Sequence, residues 1–264
     1  MEKVVFEKKV SKGSKFNQIY IPKEFGMVIE VGDLVQIRLL EKHESLYYKN
    51  QGKKLSDFKE YLIKKIFSYL QKFSEIKTVF IVGSFLYETI YNDIDVIIIA
   101  DKEEKISEKT IEDLLIKTFN QKFHVLLFDE EKLRTLIEKD PITRIMLKNY
   151  ISNKKIDFDY KRKIDENHIM FLLMMPEDLL ELKLPSKIFY DNMRRLIAIE
   201  EFLKDKDLER EELLNKLKKD INIQLLDKIK NNEEVNNKGL KILREFIKKK
   251  INNIKKIMKN GQER

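Results

Sequence analysis

Four residues in one stretch of the chain, TVFIVGSFLYETIYNDIDVIIIA (Thr78 to Ala100), have types and spacing that suit phosphate chemistry. Gly83 and Ser84 close one apolar run, and Asp93 and Asp95 open the next. A strand repeats every two residues, so Asp93 and Asp95 project from one face. Two carboxylates placed in this way can share a hard divalent cation such as Mg2+. Gly83 allows a phosphate to approach the backbone closely, and Ser84 can donate a hydroxyl to it. The plain alternative is a strand–turn–strand with two surface aspartates. An aspartate placed directly before VIII argues against that alternative, because a buried unpaired charge is costly.

The runs on either side are short and β-branched, which predicts two buried strands. Leu55 to Phe73 keeps three-to-four apolar spacing (Leu55, Phe58, Leu62, Ile66, Tyr69, Phe73) and predicts an amphipathic helix that packs on the sheet. Lys105 to Phe119 reads as a crossover helix and Lys122 to Phe128 as a third strand. Asp129 reads as the N-cap of the helix EEKLRTLIEK. Asp140-Pro141 is a helix start, with PITRIMLKNY closing this part of the chain near residues 150 to 160.

The Gly-Ser turn followed by Asp-x-Asp on the next strand resembles the nucleotidyltransferase superfamily related to DNA polymerase β, of the minimal type. Gly83, Ser84, Asp93 and Asp95 carry the resemblance. It implies an α+β core that moves a nucleoside monophosphate from a nucleoside triphosphate, with ATP the first candidate, to a hydroxyl on a protein, an RNA or a small molecule. Gly83 and Ser84 would hold the triphosphate, and Asp93 and Asp95 would bind Mg2+. The family's third strand carries another carboxylate; the corresponding residue here is His124, which could act as a general base near neutral pH. Glu88 stands where the family often has glycine and is expected to narrow the nucleotide pocket or compete for metal. Asn92 replaces the serine that often precedes Asp-x-Asp. Arg144 is either a triphosphate contact or an exposed helix residue.

Residues 1 to 42 have a different texture. Val4 to Phe6, Phe16 to Ile21 and Leu34 to Leu40 read as strands, with turns at Gly13 and Gly32-Asp33. The phrase IYIPKEFGMVIEVGDLVQI resembles the AbrB/SpoVT swapped-hairpin domain through Ile21, Pro22, Lys23, Glu24, Val31, Gly32, Asp33 and Val35. That resemblance implies a homodimer of interleaved hairpins that binds DNA, with Lys9, Lys12, Lys15 and Lys23 available to phosphates. Gly13-Ser14 replaces the family's usual Gly-Arg, and the short helix lacks the usual arginine, so a β-unit that only dimerises stays open. Residues 43 to 54 read as a polar linker in which His43 is solvated.

From residue 161 the chain reads as helical. HIMFLLMM is broken at Pro176, and further helices are expected over Glu177 to Leu184, Ile188 to Lys204, Glu209 to Lys230 and Lys238 to Asn260. Arg162 and His168 match the loose Arg-x5-His spacing of helical ribonuclease toxins, a spacing that chance also supplies. The basic last helix is either a solvated face or a contact for RNA or a partner protein.

Composition bounds the rest. The 264 residues include no Cys, which excludes disulfides and thiolate metal sites, and the net charge of +8 permits nucleic-acid or nucleotide partners. No apolar run reaches membrane-spanning length and MEKVVFEKKV has no signal-peptide core, so a cytoplasmic location is expected. The expected organisation is an AbrB-like β-unit (1–42), a linker (43–54), a nucleotidyltransferase domain (55–160) and a helical bundle (161–264), the whole acting as an Mg-dependent transferase. The rival is a dimeric DNA-binding, antitoxin-like regulator that keeps a degenerate nucleotidyltransferase fold.

Overall fold

A computed structural model describes residues 6–21, 29–38, 45–49, 55–101, 107–158, 160–182 and 184–262. The chain divides into two units, Met1–His43 and Glu44–Arg264.

In the first unit, β1 (Ser11–Lys12) pairs antiparallel with β2 (Asn17–Gln18) around the turn at Gly13. The expected strand Phe16 to Ile21 shrinks to those two residues, and residues 34–38 pair with no strand among the described residues. Residues 4, 5, 39 and 40, along with Pro22, Lys23, Glu24 and His43, lie outside the described residues. A strand gains its hydrogen bonds only from a neighbour, and here the apolar residues face solvent: Phe16, Val31, Leu34 and Ile37 are all exposed.

The second unit is mixed α/β, with a five-stranded sheet followed by a helical region. The sheet contains β3 (Tyr47–Lys49), β4 (Ile76–Val82), β5 (Ile94–Ala100), β6 (Phe123–Phe128) and β7 (Tyr150–Ser152), in the order β3-β7-β4-β5-β6. Only the β5–β6 pair is parallel; the crossover between these strands is α2 (Glu108–Phe119), capped by Ser107. One sheet face, built from Val79, Ile81, Ile94, Val96 and Ile98, packs on α1 (Asp57–Leu70) through Ile63, Ile66 and Phe67 and on α2 through Ile111 and Leu115. The other face, with Phe80, Val82, Ile97 and Ile99, packs on Leu133 and Ile137 of α3 (Glu130–Lys139). Fully burying each such side chain contributes about 1.5–3 kcal/mol.

Two of these strands depart from the sequence reading. Helix α4 (Pro141–Met146) stops early, and Tyr150, expected as the end of that helix, instead opens β7 beside β4. Tyr47–Lys49, expected as linker, is the edge strand β3. Tyr150 is fixed there by stacking edge-on against Phe80 at 5.1 Å and donating its hydroxyl to Ile156 O at 2.6 Å.

The helical region contains α5 (Glu166–Asp178), α6 (Ser186–Leu203), α7 (Arg210–Asp220), α8 (Ile223–Lys230) and α9 (Asn237–Gln262). Helix α5 carries Pro176 in its last turn and does not break there. The stretch expected as one helix from Glu209 to Lys230 is two, because Asn222 caps α8 by accepting from Gln224 N at 2.8 Å. Helix α6 is central: Phe189, Met193, Leu196 and Ile197 meet Leu243, Ile247, Ile251 and Ile254 of α9 in one core. Among the described residues no helix is long and apolar enough to cross a membrane.

Candidate phosphate and metal site

Strand β4 ends at Val82, and Gly83 turns the chain with φ +79° and ψ −160°. That left-handed region favours glycine. The turn also presses against β5: a Cβ on Gly83 would lie 1.9 Å from Asp95 Oδ2. A side chain there would therefore displace the carboxylate. Ser84 starts a short 3-10 helix (Ser84–Leu86), and its carbonyl accepts from Tyr87 N at 3.0 Å and Glu88 N at 2.9 Å.

Asp93 immediately precedes β5, whose first residue, Ile94, donates its N–H to Lys122 O at 2.9 Å. Asp95 is the second residue of β5 and stands in register with Val82 on one side and His124 on the other. It shares its face with Ile97 and Ile99, the face covered by α3, but lies at the opposite end of the strand. His124 Nδ1 lies 3.2 Å from Asp95 Oδ1. When Asp95 is ionised it can only accept, so Nδ1 carries the proton of this bond and Nε2 keeps its lone pair in a neutral ring. The His124 side chain is 55% exposed, against 22% for Asp95. Burial pushes the Asp95 carboxyl above its ordinary pKa and the charge of Asp93 adds to this; the His124 bond and the nearby Arg194 oppose it.

The return from Ser84 to Asp93 is held by a residue that the sequence reading missed. Lys59 of α1 donates from Nζ to Phe85 O and to Glu88 O (2.7 Å), and lies over the rings of Phe85 and Tyr91 at 5.0 and 5.5 Å. Its only signal in the sequence is a lysine at the border of an amphipathic face. Glu88 does not behave as expected. Its carboxylate accepts from Arg210 of α7 and, at 3.3 Å, from Lys230 of α8, which ties the return to the helical region. Partial burial alone would raise the Glu88 carboxyl; the hydrogen bond from Arg210 and the charges of Lys230 and Arg210 outweigh it and hold the pKa below the ordinary value. The Arg210 guanidinium also covers the Tyr87 ring at 5.0 Å. Burial pushes the Tyr87 hydroxyl up to about 12.

Other candidates have structural partners. Arg144 binds Asp207 (Nε to Oδ1, 2.9 Å) and the carbonyls of Ile137 and Tyr160. Arg162 donates to Phe202 O at 3.0 Å, Asp205 at 2.6 Å and Asp207 at 2.8 Å. His168 Nε2 lies 2.8 Å from Asp140 Oδ2. Arg162 and His168 thus answer to different partners rather than to one reaction centre. Lys9, Lys12 and Lys15 are exposed in the first unit, and Lys23 lies outside the described residues. In α9, Lys250 pairs with Glu200 and Lys255 with Glu177, both at 2.7 Å, while Lys241, Lys248, Lys256 and Lys259 face solvent.

Among the described residues no three Asp, Glu, His or Cys side chains are gathered closely enough to hold a metal ion by themselves. Asp93 and Asp95 offer two hard oxygen donors, and imidazole is a poor Mg2+ ligand. Mg2+ is usually bound by one or two carboxylates together with substrate phosphates. The donor set therefore fits a cation that arrives with a polyphosphate, not a resident one. The chain matches no protein-family model, no curated protein and no solved structure.

Proposed function

We propose that the second unit is a nucleotidyltransferase that moves a nucleoside monophosphate from a nucleoside triphosphate to a hydroxyl acceptor. The observation that carries this reading is the contact of Gly83 with Asp95: a turn suited to phosphate is pressed against a carboxylate, with no room for a side chain between them. The Gly83-Ser84 turn would hold the triphosphate, and Asp93 and Asp95 would hold Mg2+. When bound, the cation neutralises charge on the transferring phosphoryl and helps to align the attacking hydroxyl. His124, oriented by Asp95 and open to solvent, would take the acceptor's proton on Nε2. The acceptor oxygen bonds to the α-phosphorus as the bond from that phosphorus to the bridging oxygen breaks, and pyrophosphate leaves with that electron pair.

The test is label transfer from each of the four nucleoside triphosphates into separated protein, RNA and small-molecule pools. Label at the α-phosphate should appear in one pool and label at the γ-phosphate in none, and Asp93→Asn or Asp95→Asn should remove the signal while the fold remains. Transfer that survives both substitutions contradicts the assignment.

A second reading concerns the first unit. Its exposed Phe16, Val31, Leu34 and Ile37 support association with a second copy, and Lys9, Lys12 and Lys15 support DNA contact. A dimer and a salt-dependent shift of duplex DNA, both lost on deleting residues 1–42, are the outcomes this reading requires. Salt dependence is expected because phosphate contacts release counterions.

A further inference from the structure

The turn assigned to the triphosphate is held from outside the sheet. Between β4 and β5 only Ser84–Leu86 forms regular structure, a single 3-10 turn, so its shape depends on the groups bonded to it. Glu88 closes that turn: its N–H donates to Ser84 O at 2.9 Å, and its own carbonyl accepts from Lys59 at 2.7 Å. Its carboxylate reaches two residues far along the chain. Oε1 accepts from Arg210 Nη2 and, at 3.3 Å, from Lys230 Nζ. Arg210 is the first residue of α7, where a capping box fixes the backbone, with Glu209 N donating to Glu212 Oε2 at 3.0 Å. Lys230 is the last residue of α8. One carboxylate thus joins the ends of two helices to the residue that closes the Ser84 turn.

This is not a plain surface ion pair. The Glu88 and Arg210 side chains are 27% and 25% exposed, and the guanidinium also covers the Tyr87 ring at 5.0 Å. Lys109 and Asp113, by contrast, pair on α2 with both side chains mostly exposed. An exposed pair contributes little, whereas breaking a partly buried one leaves a carboxylate or a guanidinium without its partner. The Glu88 carboxylate is engaged by two cations of the helical region, and the backbone on either side of it is bonded to Ser84 and Lys59.

We propose that Glu88 is a positioning residue: through Arg210 and Lys230, the helical region holds the Gly83-Ser84 turn in the shape that receives the triphosphate. The inference rests on the nucleotidyltransferase reading and extends it, since nucleotide affinity then depends on α7 and α8 although neither helix is assigned a contact with the nucleotide. It also reverses the sign that the sequence implies for Glu88. A carboxylate that narrows the pocket or competes for metal weakens nucleotide binding, so its neutralisation strengthens binding. A carboxylate that clamps the turn has the opposite effect: its neutralisation weakens binding, and removing its arginine does the same.

A double-mutant cycle on the full chain tests this, with calorimetric titration of ATP in Mg2+ and hydrogen exchange of the Tyr87 amide, which bonds to Ser84 O. Glu88→Gln and Arg210→Gln should each weaken ATP by about 3–30-fold, and the double variant should lose no more than the weaker single one. The Tyr87 amide should exchange faster in both, and Arg210→Lys should recover part of each change. Lys230→Gln, at the more exposed partner, should show a smaller loss in the same direction, and decides the matter if Arg210→Gln lowers the melting temperature. Tighter binding by Glu88→Gln makes the carboxylate a competitor and overturns the inference. Losses that add in the double variant, or weaker binding with unchanged Tyr87 exchange, overturn it as well. If wild type binds ATP and the variants bind it equally well, Glu88 has no positioning role and the parent reading stands. If wild type binds no ATP, both readings fall together.

Discussion

Two Asp–His pairs occur among the described residues, and their surroundings separate a site from a strut. Asp140 and His168 lie 2.8 Å apart, and every other demand on Asp140 is met nearby: its Oδ1 accepts from Thr143 N at 2.6 Å as the N-cap of α4. His168 N in turn donates to Asp165, the cap of α5, at 3.1 Å. The pair ties two helix starts together. Asp95 and His124 are a looser pair at 3.2 Å, with a mostly exposed imidazole, a second negative charge at Asp93 and a glycine turn in contact. The same two residue types are used in both places. The difference is whether the neighbours satisfy the charge or leave it unsatisfied, and unsatisfied charge is what a ligand or a reaction requires.

Substitutions should divide along that line. The largest effect is expected for Asp95→Asn, with nucleotide transfer falling on the order of a thousandfold while the melting temperature holds or rises. The sign follows from linkage. Asp95 keeps its proton to higher pH in the folded chain than in the unfolded one, so its ionisation opposes folding, and the amide removes that cost. A drop in melting temperature together with activity would make Asp95 a second strut.

Gly83→Ala should come next. Its φ of +79° strains any side chain and its Cβ would enter the space of Asp95 Oδ2, so about 1–3 kcal/mol of stability should be lost in chemical denaturation. Nucleotide binding should fall with it. A stable variant that binds nucleotide normally would mean that the turn and the carboxylate need not touch. Asp140→Ala should cost about 2 kcal/mol, one part for the helix cap and one for the His168 bond, with nucleotide affinity per folded molecule unchanged. A selective loss of nucleotide affinity would erase the distinction between the two pairs.

The smallest expected effect is the dependence of stability on pH. Asp95, with its raised pKa, contributes stability on the acid side that is lost as pH rises from its unfolded to its folded pKa. Glu88, with its lowered pKa, contributes stability above its unfolded pKa that is lost as pH falls through its folded one. Denaturation curves of Asp95→Asn and Glu88→Gln against wild type should therefore differ in opposite senses through the acid range. Curves that shift alike would contradict the two environments assigned here.

The parts legible in the sequence are those specified by neighbours along the chain. Strand periodicity announces β5 with Asp95 near its start and β6 with His124, and the caps Asp129 and Asp140 announce α3 and α4. Three-residue strands such as β3 and β7 have too little pattern to stand out, and acquire their identity from pairing with each other and with β4. Glu88 reads in sequence as a charge that narrows a nucleotide pocket or competes for metal; its partners Arg210 and Lys230 arrive from α7 and α8 and are not visible there. Lys59 is hidden for the same reason, because an amphipathic helix pattern tells which face is buried and not which lysine at its border reaches the return between β4 and β5. In the first unit, alternating apolar residues predict strands, but pairing needs a partner, and Val31 and Leu34 remain fully exposed.

The central claim is that the Gly83 turn and the Asp93–Asp95 pair form one nucleotide site. Its most direct test is calorimetric binding of each Mg-nucleoside triphosphate to wild type and to the Asp93→Asn/Asp95→Asn double variant, with metal omitted as a control. Binding that needs Mg2+ and disappears in the double variant is the expected result. Binding to none of the four triphosphates, or undiminished binding by the double variant, contradicts the claim.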